Sequence, residues 1–268
     1  MKKSLFAIAG LALLLGIPFE ASAASNPDSY QAEGVYHGTN RYGLTGLYYT
    51  VSPYSVGTGL SANGYAEVTS TTTGTTTVTP FSVTLGLGQN IEISGASRLY
   101  SGGGINATGD SEFYAKYSFR SLGEVAPAMA LVLGVTLPTA SDPAASDVNN
   151  LGAKIMFVAG GEAQVSDNVV MGTYFNMTAN FIDPGQATQN NYISSNLGFM
   201  MPISDNNKLQ GFIDSRFVSG KTTPTISEAD GVYYMIGLRY TGRFLKITGG
   251  IEEGGAVAKV IAGVTLEI

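Results

Sequence analysis

The sequence predicts an all-β fold: a closed antiparallel transmembrane β-barrel of about twelve strands, with roughly ten to fourteen as its bounds. Three observations predict it. From residue 57 to the end the chain reads as short segments of alternating hydrophobicity, and within them the charged side chains fall on one parity. Tight turns alternate with longer loops between these segments. Charged residues make up 13% of the chain, about half of the roughly 25% usual in a soluble domain. The C-terminal segment shows the pattern, with Ala258, Val260, Ala262, Val264, Leu266 and Ile268 on one face and Lys259, Gly263, Thr265 and Glu267 on the other, beside Val257 and Ile261. Alternate side chains of a strand point to opposite sides, so such a segment has one apolar and one more polar surface.

The start of the chain separates a soluble sheet from a membrane barrel. Met1-Lys2-Lys3 is positive, Leu5 to Ile17 is apolar and Ala21-Ser22-Ala23 is a small-x-small cleavage site, so residues 1–23 are expected to be a secretory signal peptide. The apolar stretch is too short for a spanning helix. Residues 24–56 contain Gly43-Leu44-Thr45-Gly46-Leu47-Tyr48-Tyr49 and Ser52-Pro53-Tyr54 and are read as an N-terminal periplasmic or plug segment, with inward packing favoured. Residues 57–268 form the barrel, which places the protein in a bacterial outer membrane with lipid and the barrel-assembly machinery as partners.

Strands are expected at 57–69, 77–87, 91–100, 111–121, 126–137, 151–165, 169–182, 192–203, 208–219, 231–241, 244–252 and 257–268. Tight turns fall at Gly88-Gln89-Asn90, Leu122 to Val125, Ser166-Asp167-Asn168, Asp205-Asn206-Asn207 and Gly242-Arg243, all turn-forming sequences. Longer loops at 70–76, 101–110, 138–150, 183–191 and 220–230 belong on the outer side, and an even strand number leaves both barrel ends in the periplasm. The Thr-rich run Thr69 to Thr79 reads as the tips of two strands around Gly74. Aromatic residues near strand ends, among them Tyr100, Phe119, Phe181, Tyr192 and Tyr240, suit the headgroup boundary.

One face of these strands carries no charge in any segment as assigned. The other carries the acids Glu67, Glu92, Glu112, Glu162, Asp214, Glu252 and Glu267 and the bases Arg98, Lys116, Arg120, Lys154, Arg216, Arg239, Lys246 and Lys259. A basic side chain at the bilayer midplane costs about 2–4 kcal/mol, so one-sided charge is what lipid on the other side requires. Mixed signs predict an interior of paired charges rather than a strongly ion-selective field. Glu112, Lys116, Arg120, Asp214, Arg216 and Arg239 are the candidate residues lining a pore.

Other chemistries find little support. A net charge of −6 without clustered Lys and Arg argues against nucleic acid. Hydrolysis by a nucleophile and a base needs a placed imidazole, and the sole histidine, His37, precedes the barrel. There is no cysteine, and the loop acids Asp142, Asp147, Glu228 and Asp230 lack ligand spacing for calcium. No catalytic residue, cofactor or metal is therefore assigned, and the chain is not read as an enzyme.

Gly109-Asp110 followed by Phe113-Tyr114-Ala115-Lys116-Tyr117, then Gly134-Val135-Thr136-Leu137-Pro138-Thr139 and a loop Asp, and the closing Ala262-Gly263-Val264-Thr265-Leu266-Glu267-Ile268, resemble the outer-membrane proteins named for the meta-pathway of phenol degradation. Two positions depart from that pattern: Ala140 stands where the family has Gly, and Ile268 where barrels commonly end in an aromatic residue. The resemblance implies an outer-membrane channel or transporter for small, hydrophobic or aromatic solutes. The alternative is a structural or partner-binding barrel with no solute passage.

Overall fold

Val, Thr, Tyr and Phe favour extended backbone, and the chain forms strands where its hydrophobicity alternates. The computed structural model describes residues 39–55, 58–72, 74–88, 90–119, 128–148, 150–166, 169–182, 190–203, 208–221, 230–242, 244–254 and 257–268. Among them the strands are β1 (Gly59–Thr71), β2 (Gly74–Gly86), β3 (Ile91–Gly102), β4 (Ile105–Thr108), β5 (Ser111–Phe119), β6 (Ala128–Leu137), β7 (Gly152–Ser166), β8 (Val169–Ile182), β9 (Asn190–Pro202), β10 (Leu209–Ser219), β11 (Gly231–Thr241), β12 (Leu245–Gly254) and β13 (Val257–Glu267).

Successive strands pair antiparallel, and β1 pairs with both β2 and β13, which closes the ring. Leu60 and Ile268 complete the seam by exchanging N–H···O bonds of 3.0 and 2.9 Å. The short β4 and β5 both lie against β3 and make one stave between them, so the thirteen strands build a barrel of twelve staves.

That divided stave departs from expectation. Residues 101–110, read as a loop, form most of a hairpin: β3 runs on to Gly102, and Gly102, Gly103 and Gly104 turn the chain with φ of 91°, 62° and 86°. Glycine reaches this left-handed region without a Cβ penalty. Between Thr108 and Glu112 the stave has Gly109, Asp110 and Ser111 where β3 has only Ser97 and Arg98. The extra residue is a β-bulge, and it switches parity: Ala107 is buried before it, Glu112 after it. The outer connection expected at 70–76 is also short, since β1 reaches Thr71 and β2 begins at Gly74.

The outward face is apolar. Leu85, Phe113, Leu133, Ile155, Ile213, Leu238 and Val264 are exposed, and Ile236 is 63% exposed. A continuous belt of this kind far exceeds the apolar patches of water-soluble monomers, and hydrocarbon is the solvent that suits it. Two details correct the reading from sequence. β12 extends past residue 252, which turns Glu253 outward at its loop-side end, across from Tyr234. Tyr100 and Tyr192 sit on the inward parity of β3 and β9 and are buried, so neither belongs to an interfacial girdle.

Candidate functional site

The lumen is filled by residues 39–55. This segment folds on itself through bridges between Thr39 and Thr45 and between Gly46 and Val51. Leu47 N–H donates to Thr50 O and Ser52 N–H to Thr45 O, both at 2.8 Å. Gly43 has φ of 87°, and a Cβ there would meet Ser94 Oγ at 2.2 Å. Its side chains pack against inward apolar residues. Leu44 and Val51 join Val132, Met156 and Val158 on one side, while Leu47, Tyr48 and Tyr49 join Met200, Phe212, Met235 and Ile261 on the other.

The wall grips this segment mainly by its main chain. Asn176 Oδ1 accepts the Val51 N–H at 2.6 Å and its Nδ2 donates to the Val51 carbonyl at 2.8 Å. Asn63 donates to Asn40 O at 2.8 Å, Ser94 to Tyr42 O at 2.7 Å, Thr84 to Gly43 O at 2.5 Å and Asn196 to Tyr49 O at 2.9 Å. These are polar wall residues that supply the partners buried peptide groups require. Tyr49 adds a side-chain anchor: burial, aided by the Glu252 carboxylate, pushes its hydroxyl well above the usual phenol range, so it stays protonated and donates to Glu252.

Five of the six candidate lining residues are described, and all five are buried. Four of them bond directly to residues 39–55. Asp214 accepts from Tyr49 N–H at 2.5 Å, Thr50 N–H at 3.2 Å and Thr50 Oγ1 at 2.5 Å. Lys116 pairs with Glu92 at 2.7 Å and donates to Ser52 O at 3.2 Å and Tyr54 O at 2.5 Å. Arg239 donates to Gly46 O at 3.0 Å and Arg216 to Tyr42 Oη at 2.5 Å. Glu112 stands apart, paired at 2.8 Å with both Arg98 and Lys154 and accepting from the Tyr114 hydroxyl. Arg120, His37 and Glu228 lie outside the described residues.

Toward the loop-side end a cleft of about 20 Å³ remains, room for a water or a small polar group. Arg41 and Tyr42 of the inner segment contribute to it, with Arg98, Glu112, Lys154 and Arg216 from the wall. Asp147 reaches it from the loop after β6 and pairs with Arg98 at 2.8 Å. Asp110, at the bulge, holds that loop in place. Its carboxylate accepts the N–H groups of Thr139, Ala140, Asp147 and Val148 at 3.1, 3.0, 2.7 and 3.1 Å, and the Ser146 hydroxyl at 3.0 Å. The other loop acids serve local backbone, Asp142 capping a 3-10 turn over Pro143–Ala145 and Asp230 accepting from Lys221 N–H. Among the described residues no group of three or more His, Cys, Asp or Glu is placed to hold a metal.

Sequence reasoning passed over the neutral grips Asn63, Asn176 and Asn196, and the inward apolar residues Val132, Met156 and Val158. A signal for the latter existed: the stretch from Ile155 to Val158 is apolar on both parities, which an open aqueous lumen would not favour.

No family model matches the chain, and no curated protein matches it. Solved structures do. An outer membrane channel from Pseudomonas putida F1 aligns over 79% of this chain and 96% of its own, with a TM-score of 0.55 at 8% identity. The NanC porin aligns over 77% and 100%, with 0.54 at 9% identity. The chain shares the fold of the outer-membrane porins. The KdgM porin agrees, covering 78% of this chain and 99% of its own with a TM-score of 0.52 at 10% identity. At such identities the porin likeness is one of fold, and the resemblance to the meta-pathway proteins rests on its short motifs.

Proposed function

We propose that the protein is a bacterial outer-membrane channel for small solutes, exported by its N-terminal signal and assembled by the outer-membrane machinery, with residues 39–55 acting as a plug. The observation that carries this reading is the buried inner segment gripped by polar wall residues inside a barrel with an apolar belt. A barrel built only as a scaffold has no need of a polar inner wall, and an apolar filling would serve it better. Lys116, Asp214, Arg216 and Arg239 then have a double part: they hold the plug when the lumen is closed and line the passage when it is displaced. The family resemblance favours hydrophobic or aromatic solutes. A catalytic role has no support, since the single histidine precedes the barrel.

The filled lumen also favours a second reading, a barrel without passage whose loops bind a surface partner. Planar-bilayer conductance of refolded protein separates the two. Wild type should show rare, small openings, and a variant lacking residues 24–50 should show a larger steady conductance. Absence of conductance in both would overturn the channel.

A further inference from the structure

The wall binds five of the six main-chain N–H and C=O groups of residues 49–51. Asp214 accepts the Tyr49 and Thr50 N–H groups at 2.5 and 3.2 Å, Asn196 donates to the Tyr49 carbonyl at 2.9 Å, and Asn176 takes both groups of Val51 at 2.6 and 2.8 Å. The sixth, the Thr50 carbonyl, accepts from Leu47 N–H within the plug. Every peptide carries such groups, so what these three side chains recognise is main chain rather than a particular sequence.

The three come from adjacent strands. Asn176 of β8 stands opposite Asn196 of β9, and Asp214 of β10 opposite Gly198 of β9. Gly198 permits the close approach, since a Cβ there would lie 2.6 Å from Leu47 Cδ1 and 3.1 Å from Thr50 Cβ. Next on the same inward face are Met200 and Phe212, paired in register and packed in one apolar cluster with Leu47 and Tyr49. The plug covers all of this, so a ligand would take the place of the plug and not sit beside it. The patch also offers more than the plug uses. Asn196 Oδ1 is buried and accepts no hydrogen bond among the described residues, whereas Asn176 has both ends of its amide engaged. A buried acceptor without a donor is costly, and an extended peptide with an N–H opposite Asn196 would supply one.

We propose that the Asn176, Asn196 and Asp214 patch is a binding site for short peptides with small or apolar side chains, which compete with residues 49–51 for it. The inference rests on the channel reading and deepens it by naming a class of solute. Plug and peptide use the same donors and acceptors, so the wall holds one of them at a time. A peptide that binds only the vacated wall shifts the plug towards its displaced state.

Chymotryptic cleavage within residues 39–55 of the full-length refolded protein tests the proposal. The probe is tetra-alanine, and the control is its isomer tetrasarcosine, which has no amide N–H. A tethered competitor acts at an effective concentration of millimolar order, so each peptide is used up to about 10 mM. Tetra-alanine should raise the cleavage rate at least threefold and saturably, and tetrasarcosine should leave it unchanged. The ratio of rates with and without tetra-alanine should fall to one in Asn196→Leu whose heat-modifiable mobility shows a folded barrel. If that variant does not fold, the two peptides on wild type decide alone. A rate indifferent to tetra-alanine, raised equally by tetrasarcosine, or raised as much in folded Asn196→Leu overturns the site. Peptide-dependent cleavage in a protein that never conducts would sink the channel and leave the site standing. Conductance in a protein whose cleavage ignores tetra-alanine would do the reverse.

Discussion

Asn176 treats Val51 as a neighbouring strand would, accepting its N–H at 2.6 Å and donating to its carbonyl at 2.8 Å. One side-chain amide thereby satisfies both peptide groups of a residue enclosed in the lumen. Asn176→Leu should remove both bonds and strand two buried polar groups, at a cost of about 1–3 kcal/mol each. The barrel, built from strand ladders, should still assemble. The expected outcome is normal heat-modifiable mobility with faster protease cleavage within residues 39–55. A variant as protected as wild type would show that Asn176 contributes nothing to retention.

Gly46 offers a sharper contrast. A Cβ at this position would lie 2.1 Å from the Thr50 carbonyl oxygen, inside the fold of the inner segment. At Gly64, in β1, an added Cβ has nothing within 4 Å. Gly46→Ala should raise single-channel conductance by loosening the plug, and Gly64→Ala should not. Equal conductance in the two variants would contradict the assignment.

The two faces of the wall should differ in their tolerance of charge. Leu133→Arg or Ile236→Arg places a guanidinium in lipid at a cost of about 2–4 kcal/mol near the midplane, and the folded band should diminish on a semi-native gel. Lys116→Gln leaves Glu92 without its 2.7 Å partner and frees Ser52 and Tyr54 of their donor. It should disturb the plug and spare the barrel. Comparable loss of folded protein from both classes would reverse the assignment of faces.

Asp110 should govern the loop after β6. With four backbone N–H groups and one hydroxyl directed at its carboxylate, Asp110→Ala removes the acceptor that all five share, while Thr139 N–H keeps Leu137 O and the Ser146 hydroxyl keeps Val148 O. Limited proteolysis of the folded protein should then nick residues 139–148 more than tenfold faster, with the strands intact. An unchanged rate would mean that the loop is held from elsewhere.

Strand positions were legible because lipid permits charge on one face only, so a period of two runs along most of the described strands between Gly59 and Glu267. The interruption at Gly109-Asp110 was not legible. A bulge needs only one extra residue, and the Gly-rich stretch before it has the composition of a loop. The candidate lining residues could be read as inward, yet nothing in their own segments says that Asp214 faces the Tyr49 and Thr50 peptides. Such pairs join residues far apart in the chain, and main-chain recognition leaves no complementary motif in the segment recognised. The Asp of the Gly109-Asp110 pair gains a physical reason from the structure, and Ala140 serves there through its N–H, which any residue but proline supplies.

The seam between β1 and β13 also has the inner segment beneath it. The segment that fills the lumen precedes β1, and β1 meets β13 along Ser61 to Thr69. Thr39 bonds to Thr265 of β13 and accepts from Asn63 of β1, so the enclosed peptide is a rivet across the junction where the two ends of the sheet meet.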